Sequence, residues 1–159
     1  RRISMSNFVF FWGYQSPFSN FHNCKPFTHK GYIVYNSEQA FMLEKALMFD
    51  KSMVSRILSA RKPAEIKKLG RQVKNYDDKI WNEKRFDIMV NVLRSKFSNP
   101  ELKEKLLATE DKILVEASPY DRIWGIGLDE KSAKRIDPKY WKGQNLLGKA
   151  LMLVRDELK

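Results

Sequence analysis

Cysteine and histidine are scarce in this 159-residue sequence, which contains one cysteine, Cys24, and two histidines, His22 and His29. A single cysteine excludes an intramolecular disulfide and is typical of proteins from a reducing compartment. The spacing of the three residues matches no standard zinc pattern, and no fourth ligand is evident near them. We therefore predict no metal site here. The same scarcity disfavours a Ser-His-Asp or Cys-His catalytic apparatus.

Long apolar runs are also lacking. No stretch of the sequence approaches the roughly 20 apolar residues that are needed to cross a bilayer. The first residues, Arg1 and Arg2 followed by a broken apolar stretch over 8–12, lack the continuous core and cleavage site of a signal peptide. The sequence therefore predicts a cytoplasmic protein that does not enter the membrane.

Linkers, low-complexity segments and internal repeats are equally absent from the sequence. A chain of this length suits one compact domain, and hydrophobic residues make up 43% of it, which is enough to build a single core. We therefore predict one domain over residues 1–159. The pattern carries no prediction about the oligomeric state.

Positive charge is in excess, with 30 lysines and arginines against 19 acidic residues and a formal net charge of +11. Such a surplus attracts nucleic acid, nucleotides and other polyphosphates. Basic residues such as Lys62, Lys67 and Lys74 are spread along helical stretches instead of collecting in a tail. A merely solvated basic surface explains the charge about as well as an anionic ligand does.

The residue pattern predicts a mainly α (α+β) domain of about six helices, with a small sheet formed largely from the N-terminal part. Asn36 can cap the first helix, and Gln39 three positions on completes a capping-box arrangement. The longest helix is predicted where apolar residues recur at helical spacing between 80 and 97. The predicted strands are 8–12, 32–35 and 112–115, and the predicted helices are 37–49, 51–60, 63–70, 78–97, 100–107 and 146–158.

The most informative segment is the first predicted helix. Glu38 and Lys45 are seven residues apart, nearly two helical turns, so both project from one face with Phe41 and Met42 between them. An acid, a base and apolar residues on one face suit the wall of a pocket. The alternative is that Glu38 simply interacts with the helix dipole and that Lys45 is an ordinary helix residue.

A second candidate is the loop over residues 118–127, which follows a predicted strand. It carries Asp121 and Trp124, and functional side chains are often held on such loops. Gly125 and Gly127 would let the backbone approach a ligand closely, or would only form a tight turn. Trp124, like Trp81 of the longest helix, is either a core residue or a surface on which a base stacks.

These segments together resemble the NADAR (YbiA-like) family over nearly the whole sequence. The resemblance implies a YbiA-like fold and hydrolysis of an N-glycosidic bond. It implies two classes of substrate: ADP-ribose attached to guanine, and the phosphoribosylamino-pyrimidine intermediates of riboflavin biosynthesis. The matching pieces, in the family's order, are 11–13, 18–21, 37–38, Lys45, 70–71, Trp81, 114–116, Asp121, 124–125 and 145–148.

The resemblance also implies which residues act. Glu38, Trp81 and Asp121 correspond to functional residues of the family, and Lys45 matches as well. Among the other matching positions we expect Asn20 to hydrogen-bond the ribose, Arg71 to clamp phosphate, and Trp124, Gly125 and Asn145 to belong to the substrate site. One departure is that the segment 129–141 looks inserted, which places the shape of the site, but not its chemistry, in question.

Two mechanisms remain open for such a site. In the first, Glu38 and Asp121 divide the work as two carboxylates do in glycosidases, one near the developing positive charge and one handling a proton or a water. In the second, Lys45 attacks the opened sugar and forms a Schiff base, which requires a neutral amine. Trp81 and Trp124 would hold the base in either mechanism. No cofactor or metal is required.

The basic charge favours ADP-ribosylated guanine in DNA or nucleotides as the substrate, because a positive surface helps an enzyme reach nucleic acid. Hydrolysis of the phosphoribosylamino-pyrimidine intermediates is the alternative. A rival of another class is a basic nucleic-acid-binding module without catalysis, whose binding would survive loss of Glu38 and Asp121.

Overall fold

The computed structural model describes residues 4–159, and within them it contains seven α-helices and four short strands. The prediction of a mainly helical α+β domain is confirmed. The strands are β1 (Phe8–Phe11), β2 (Phe27–His29), β3 (Tyr32–Val34) and β4 (Ile113–Glu116). The helices are α1 (Ser37–Phe49), α2 (Val54–Ser59), α3 (Pro63–Gly70), α4 (Asp78–Lys96), α5 (Pro100–Leu107), α6 (Glu130–Ala133) and α7 (Leu146–Leu158).

The strands form two separate two-stranded sheets instead of the one small N-terminal sheet that was predicted. β1 pairs in parallel with β4, so that Phe8 lies opposite Ile113. β2 and β3 form an antiparallel hairpin, whose turn contains Lys30 (φ 50°) and Gly31 (φ 82°). Two consecutive residues with positive φ are typical of the tight turns that close hairpins. β2 was not predicted, and β4 joins β1 from far along the chain.

Helix α1 begins where the sequence indicates. The side chain of Asn36 accepts a hydrogen bond from the N–H of Gln39 at 2.8 Å. The reciprocal half of the capping box does not form, because the Gln39 side chain accepts from the N–H of Tyr35 and donates to the carbonyls of Ile57 and Ala60. These bonds tie the start of α1 to α2. Most of α1 is buried, and it packs against α2, α3 and α4.

The sheet of β1 and β4 separates two apolar clusters, because successive side chains of a strand point to opposite faces. Phe11 and Leu114 belong to the main core, into which α4 and α7 also pack. Phe10 and Val115 belong to a smaller cluster. The segment 129–141, which contains α6, contributes Trp141 to this smaller cluster. The segment that looks inserted therefore covers one face of the sheet.

The close contact between α7 and β4 depends on a glycine. A Cβ atom added at Gly148 would lie 2.1 Å from the carbonyl oxygen of Leu114, so a larger residue would force the helix away from the strand. Within residues 4–159, none of the helices is sufficiently long and apolar to cross a membrane.

Candidate active site

An inner cavity of about 310 Å³ lies between α1, α3, the start of α4 and the loop over 118–127. Most of the residues that the sequence singled out line it. Its walls carry both acidic and basic side chains beside aromatic rings. The lining residues predicted as site residues are Asn20, Glu38, Lys45, Arg71, Trp81, Asp121 and Trp124, and the others include Phe41, Met42, Lys67 and Glu116.

Glu38 sits in the first turn of α1, where its own N–H donates to the carbonyl of Asn20 at 3.0 Å. Its side chain is buried, and within residues 4–159 no protein group hydrogen-bonds its carboxyl. Burial raises the pKa of Glu38 to about 7; Lys67 acts to lower it and Asp121 to raise it. A carboxyl of this kind exchanges a proton near neutral pH, which is a property of general acids and bases.

Glu116 is a site residue that sequence reasoning missed. It ends β4 and faces the inner cavity, where burial raises its pKa to about 8 and the nearby Asp121 and Glu38 add to the rise. Three carboxyl groups therefore border one cavity. The available signal was an acidic residue at the end of an otherwise apolar strand, directly before the loop that carries Asp121.

Asp121 is fixed by the backbone of its own loop. One carboxylate oxygen, Oδ1, accepts hydrogen bonds from the N–H groups of Ile123 and Trp124, both at 2.8 Å. This Asx turn orients the carboxylate toward the cavity and holds Trp124 beside it. The loop is thus a rigid support for two of the predicted site residues.

Lys45 lies on the same face of α1 as Glu38, as predicted. Its Nζ donates to the carbonyl of Gly70 at 2.8 Å and lies 4.6 Å from the centre of the Tyr76 ring. Burial lowers the pKa of Lys45; Glu38 acts in the opposite direction, and the cation of Arg71 lowers it further. The amine is therefore easier to deprotonate than an ordinary lysine.

Aromatic rings form the apolar wall of the cavity. The Phe41 ring lies between two tryptophans, 4.9 Å from the centre of Trp81 and 5.2 Å from that of Trp124. Trp81 is only 6% exposed and is part of the main core, yet it also lines the cavity. The interpretation of this tryptophan as a core residue is therefore confirmed, and its stacking on a base stays a prediction.

The loop over 16–22 contributes Asn20, whose Oδ1 is buried and has no hydrogen-bond partner within the described residues. A buried acceptor without a partner costs free energy of about 1–3 kcal/mol unless a ligand or water donates to it. This orphaned oxygen lines the cavity, and the expected contact of Asn20 with a ribose hydroxyl stays a prediction. Lys67 of α3, also missed by the sequence reasoning, lies 5.8 Å from the Phe21 ring of the same loop.

A buried lysine supports this loop from behind. Lys96 is completely buried, and its Nζ donates to the carbonyl of Ser19 at 3.1 Å. Burial lowers the pKa of Lys96 to about 8, and Cys24 and Glu116 oppose that decrease. Because Ser19 precedes Asn20, this contact holds the loop against the cavity.

Two of the predicted site residues line neither this cavity nor the one beside it. Gly125 is packed against backbone, since an added Cβ would lie 2.9 Å from the carbonyl oxygen of Asp121. Asn145 has a left-handed backbone (φ 54°), and its side chain accepts from the N–H of Glu116 and donates to the carbonyl of Leu114. Both residues therefore shape the strand and loop that carry the site.

The two histidines and the cysteine do not converge on one point. His22 bonds the carbonyl of Tyr14, and the Cys24 thiol donates to the carbonyl of Tyr35. His29 bonds Glu44 instead. Within residues 4–159, no group of three or more His, Cys, Asp or Glu side chains is arranged to hold a metal ion.

A second, outer cavity of about 720 Å³ adjoins the first. The two cavities share Phe21, Lys67, Glu116, Asp121 and Ile123, so the carboxyl groups of Glu116 and Asp121 stand at their junction. The rest of the outer wall contains three aromatic side chains and one arginine, which are Trp12, Tyr14, Tyr120 and Arg122.

Comparison with known proteins adds to this geometry. A family profile described as "NADAR domain" matches residues 10–159. N-glycosidase R617 of Acanthamoeba polyphaga mimivirus is 47% identical over 124 residues, which cover 77% of this chain and 73% of that protein. Protein irg-1 of Caenorhabditis elegans is 41% identical over 126 residues, 77% of this chain and 59% of that protein. Some more distant relatives are named riboflavin biosynthesis proteins.

A solved structure is also similar. The NMR structure of the Escherichia coli protein YbiA superposes with a TM-score of 0.76 at 30% sequence identity. The match covers 95% of this chain and 84% of that one. The fold described above is therefore YbiA-like over nearly its whole length.

Proposed function

This chain belongs to the NADAR domain family, and from that premise we propose that it is an N-glycoside hydrolase that removes ADP-ribose from ADP-ribosylated guanine bases in DNA or nucleotides. The observation that carries the proposal is the meeting of Glu38 and Asp121 in one cavity beside Glu116, where the pKa of Glu38 is raised to about 7 and that of Glu116 to about 8. Relatives named N-glycosidases support the reaction class.

In the first mechanism, the ribosyl–nitrogen bond breaks while Glu38 in its protonated form donates its proton to the departing base. Both electrons of the bond leave with the base nitrogen, and positive charge develops on the anomeric carbon and ring oxygen. Asp121 faces that charge and orients the water that adds to the carbon. The proton of this water returns to Glu38, which restores the starting state.

In the second mechanism, the neutral amine of Lys45 adds to the anomeric carbon of the ring-opened sugar, and the bond from that carbon to the base nitrogen then breaks. The base leaves with both electrons of that bond and with a proton given up by the amine, which becomes an imine. The resulting imine is then hydrolysed by water, which releases the sugar and restores the amine. The lowered pKa of Lys45 supports this route, since only the neutral amine is a nucleophile. Reduction with borohydride during turnover distinguishes the routes, because it traps an imine on Lys45 as a stable adduct and leaves the carboxylate route without one.

The remaining side chains suit a ribosyl-base substrate. The rings of Trp81, Phe41 and Trp124 offer a surface for the base, and the orphaned Asn20 oxygen can accept a hydrogen bond from a ribose hydroxyl. Arg71 and Lys67 supply positive charge for phosphate groups. No metal or other cofactor is needed for these steps.

The cytoplasmic location expected from the lone cysteine stays a prediction.

Phosphoribosylamino-pyrimidine intermediates are the second candidate substrate. Relatives that are named riboflavin biosynthesis proteins favour them. We prefer ADP-ribosylated guanine because the net charge of +11 suits a polyanionic target. A large outer cavity beside the site also suits a substrate longer than one ribosyl-base unit.

The deciding experiment incubates the protein with a guanine-ADP-ribosylated DNA oligonucleotide, and separately with a phosphoribosylamino-pyrimidine, and measures the released sugar. We expect ADP-ribose release by the wild type and by Glu83→Gln, an exposed control on α4, but not by Glu38→Gln. Release from the pyrimidine alone would assign the second substrate class. Binding to DNA that survives Glu38→Gln, with no hydrolysis of either compound, would support the non-catalytic binding module.

A further inference from the structure

We propose that the outer cavity binds the nucleotide adjacent to the modified base in a single-stranded nucleic acid, with its base stacked against Trp12 and Tyr120. This inference rests on the proposed function, since it assigns the inner cavity to the reacting ribosyl-base unit. It adds a second binding site that selects polymeric substrates over free nucleotides.

The aromatic rim, defined as Trp12, Tyr14 and Tyr120, is the first observation. These side chains are 52%, 69% and 85% exposed, so they are not held in the core. The rings of Trp12 and Tyr120 lie 6.0 Å apart with planes inclined at 52°, although they come from different segments of the chain. Exposed aromatic rings gathered beside a cavity are a common means of stacking the bases of single strands.

The charge around the rim is the second observation. Arg122 lines the outer cavity, and Lys67 lines both cavities, so a cation stands where a phosphate joining two nucleotides would pass. The acidic groups on the shared wall are Glu116 and Asp121, of which Asp121 is assigned to the reaction. A polyanion therefore meets the positive charge of Arg122 and Lys67 in the outer cavity, and the two carboxyl groups lie where this cavity joins the inner one.

The exposure of the rim is the third observation, and it favours a nucleic-acid strand over one end of a small ligand as the occupant of the outer cavity. Sites for small ligands usually enclose most of the ligand surface, whereas these rings are half to largely exposed. The outer cavity is also more than twice the volume of the inner one, 720 against 310 Å³. A nucleic-acid strand can lie along such an exposed surface.

The test compares two substrates: ADP-ribosylated GMP, and a single-stranded oligothymidylate that contains one ADP-ribosylated guanine. The variants are Trp12→Ala and Tyr120→Ala, with Tyr140→Ala as the matched control, because Tyr140 is 64% exposed and lines neither cavity. We expect kcat/KM on the oligonucleotide to fall roughly ten-fold in the two rim variants and to stay unchanged in the control. On the mononucleotide, all variants should match the wild type.

Two results would overturn the proposal. Equal losses on both substrates would mean that the rim holds part of the ADP-ribose itself, and unchanged rates on both would mean that it binds nothing. A second measurement does not depend on hydrolysis: fluorescence anisotropy of unmodified oligothymidylate at low salt. The proposal predicts roughly ten-fold weaker binding by both rim variants but not by Tyr140→Ala. Equal binding by all proteins would contradict it even if no ADP-ribose were released in any assay.

Discussion

Two glutamates on the same helix behave in opposite ways. Glu38 and Glu44 both lie on α1 and are 7% and 5% exposed. Burial raises the pKa of Glu38 to about 7. Burial also pushes the pKa of Glu44 upward, but hydrogen bonds from His29 and Lys30 outweigh it and hold the pKa below its usual range.

The difference lies in the partners of each carboxyl. Glu44 accepts from His29 Nε2 and from Lys30 Nζ, both at 2.7 Å, and the other ring nitrogen of His29 bonds Ser95 of α4. This buried cluster fastens the β2–β3 hairpin to two helices. Glu38 has charged groups nearby but no hydrogen-bonding side chain among the described residues. Burial thus gives a structural anchor where partners are supplied, and a carboxyl that exchanges its proton near neutral pH where they are withheld.

The largest effect should come from replacing the two glutamates in turn. Glu38→Gln should lower kcat on ADP-ribosylated guanine by about 10²–10⁴-fold, since an amide cannot transfer the proton. Glu44→Gln should keep kcat within about three-fold of the wild type, because Glu44 contacts no part of the cavity. Steady-state kinetics on freshly folded protein measures kcat of both variants. A large loss of kcat in Glu44→Gln but not in Glu38→Gln would show that the reaction depends on Glu44 and not on Glu38.

The pH dependence of stability should also separate the two residues. Because the pKa of Glu38 is raised in the folded protein, the folded state loses stability as the pH rises from the ordinary glutamate pKa of 4.5 through about 7. Glu38→Gln should therefore be more stable than the wild type at pH 8, by on the order of 3 kcal/mol, with the difference vanishing near pH 4.5. Urea unfolding across this range gives the free energies.

The lowered pKa of Glu44 predicts the opposite trend. Its contribution to stability is present above the usual carboxyl pKa and is lost as the pH falls through the lowered value. Glu44→Gln should therefore be less stable than the wild type at pH 7 and approach it in acid. Parallel curves for the two variants would show that the environments of the two glutamates do not differ in this way.

Replacing Asn145 should have an intermediate effect, which should appear in the free energy of unfolding and not in substrate binding. Its side chain makes two hydrogen bonds to the backbone of β4, at 3.0 Å to the N–H of Glu116 and 2.9 Å to the carbonyl of Leu114. Asn145→Gly tolerates the left-handed backbone and should lower the free energy of unfolding by about 1–3 kcal/mol. A substrate-binding role would instead appear as a raised KM at unchanged stability.

The smallest effect should come from Lys30, which bonds Glu44 at 2.7 Å but is itself 56% exposed. Because water screens the exposed ammonium of Lys30, we expect the pair to contribute about as little as a surface ion pair, about 0–1 kcal/mol, although Glu44 itself is buried. Lys30→Met should therefore lower stability by less than about 1 kcal/mol, and kcat should not change. Thermal unfolding and kinetics check both, and a larger loss would show that Lys30, instead of His29, is the main partner of Glu44.

Local signals explain what the sequence could predict. The cap at Asn36 and the helical spacing of Glu38 and Lys45 depend on neighbouring residues, and they hold in the structure. Glu116 and Lys67 were not predicted as site residues, because they reach the cavity only through the pairing of β4 with β1 and the packing of α3 on α1. Those contacts join distant parts of the chain.

The β2–β3 hairpin shows the same limit. β2 has only three residues, Phe27–His29, which are too few to establish a strand pattern in the sequence. The contacts that fix it run from His29 to Glu44 and Ser95, fifteen and sixty-six positions away. For Asn145, a match in the sequence pointed to the substrate, whereas its hydrogen bonds run to the strand that carries Glu116.

The most direct measurement of the central claim is the titration of the two carboxyl groups themselves. Carbon-13 NMR of the side-chain carboxyl signals, assigned with Glu38→Gln and Glu44→Gln, gives each pKa in the folded protein. We expect Glu38 to titrate near 7 and Glu44 below the usual range for glutamate. Titration of both groups near their usual value would contradict the claim that withheld partners make Glu38 the reactive carboxyl of this site.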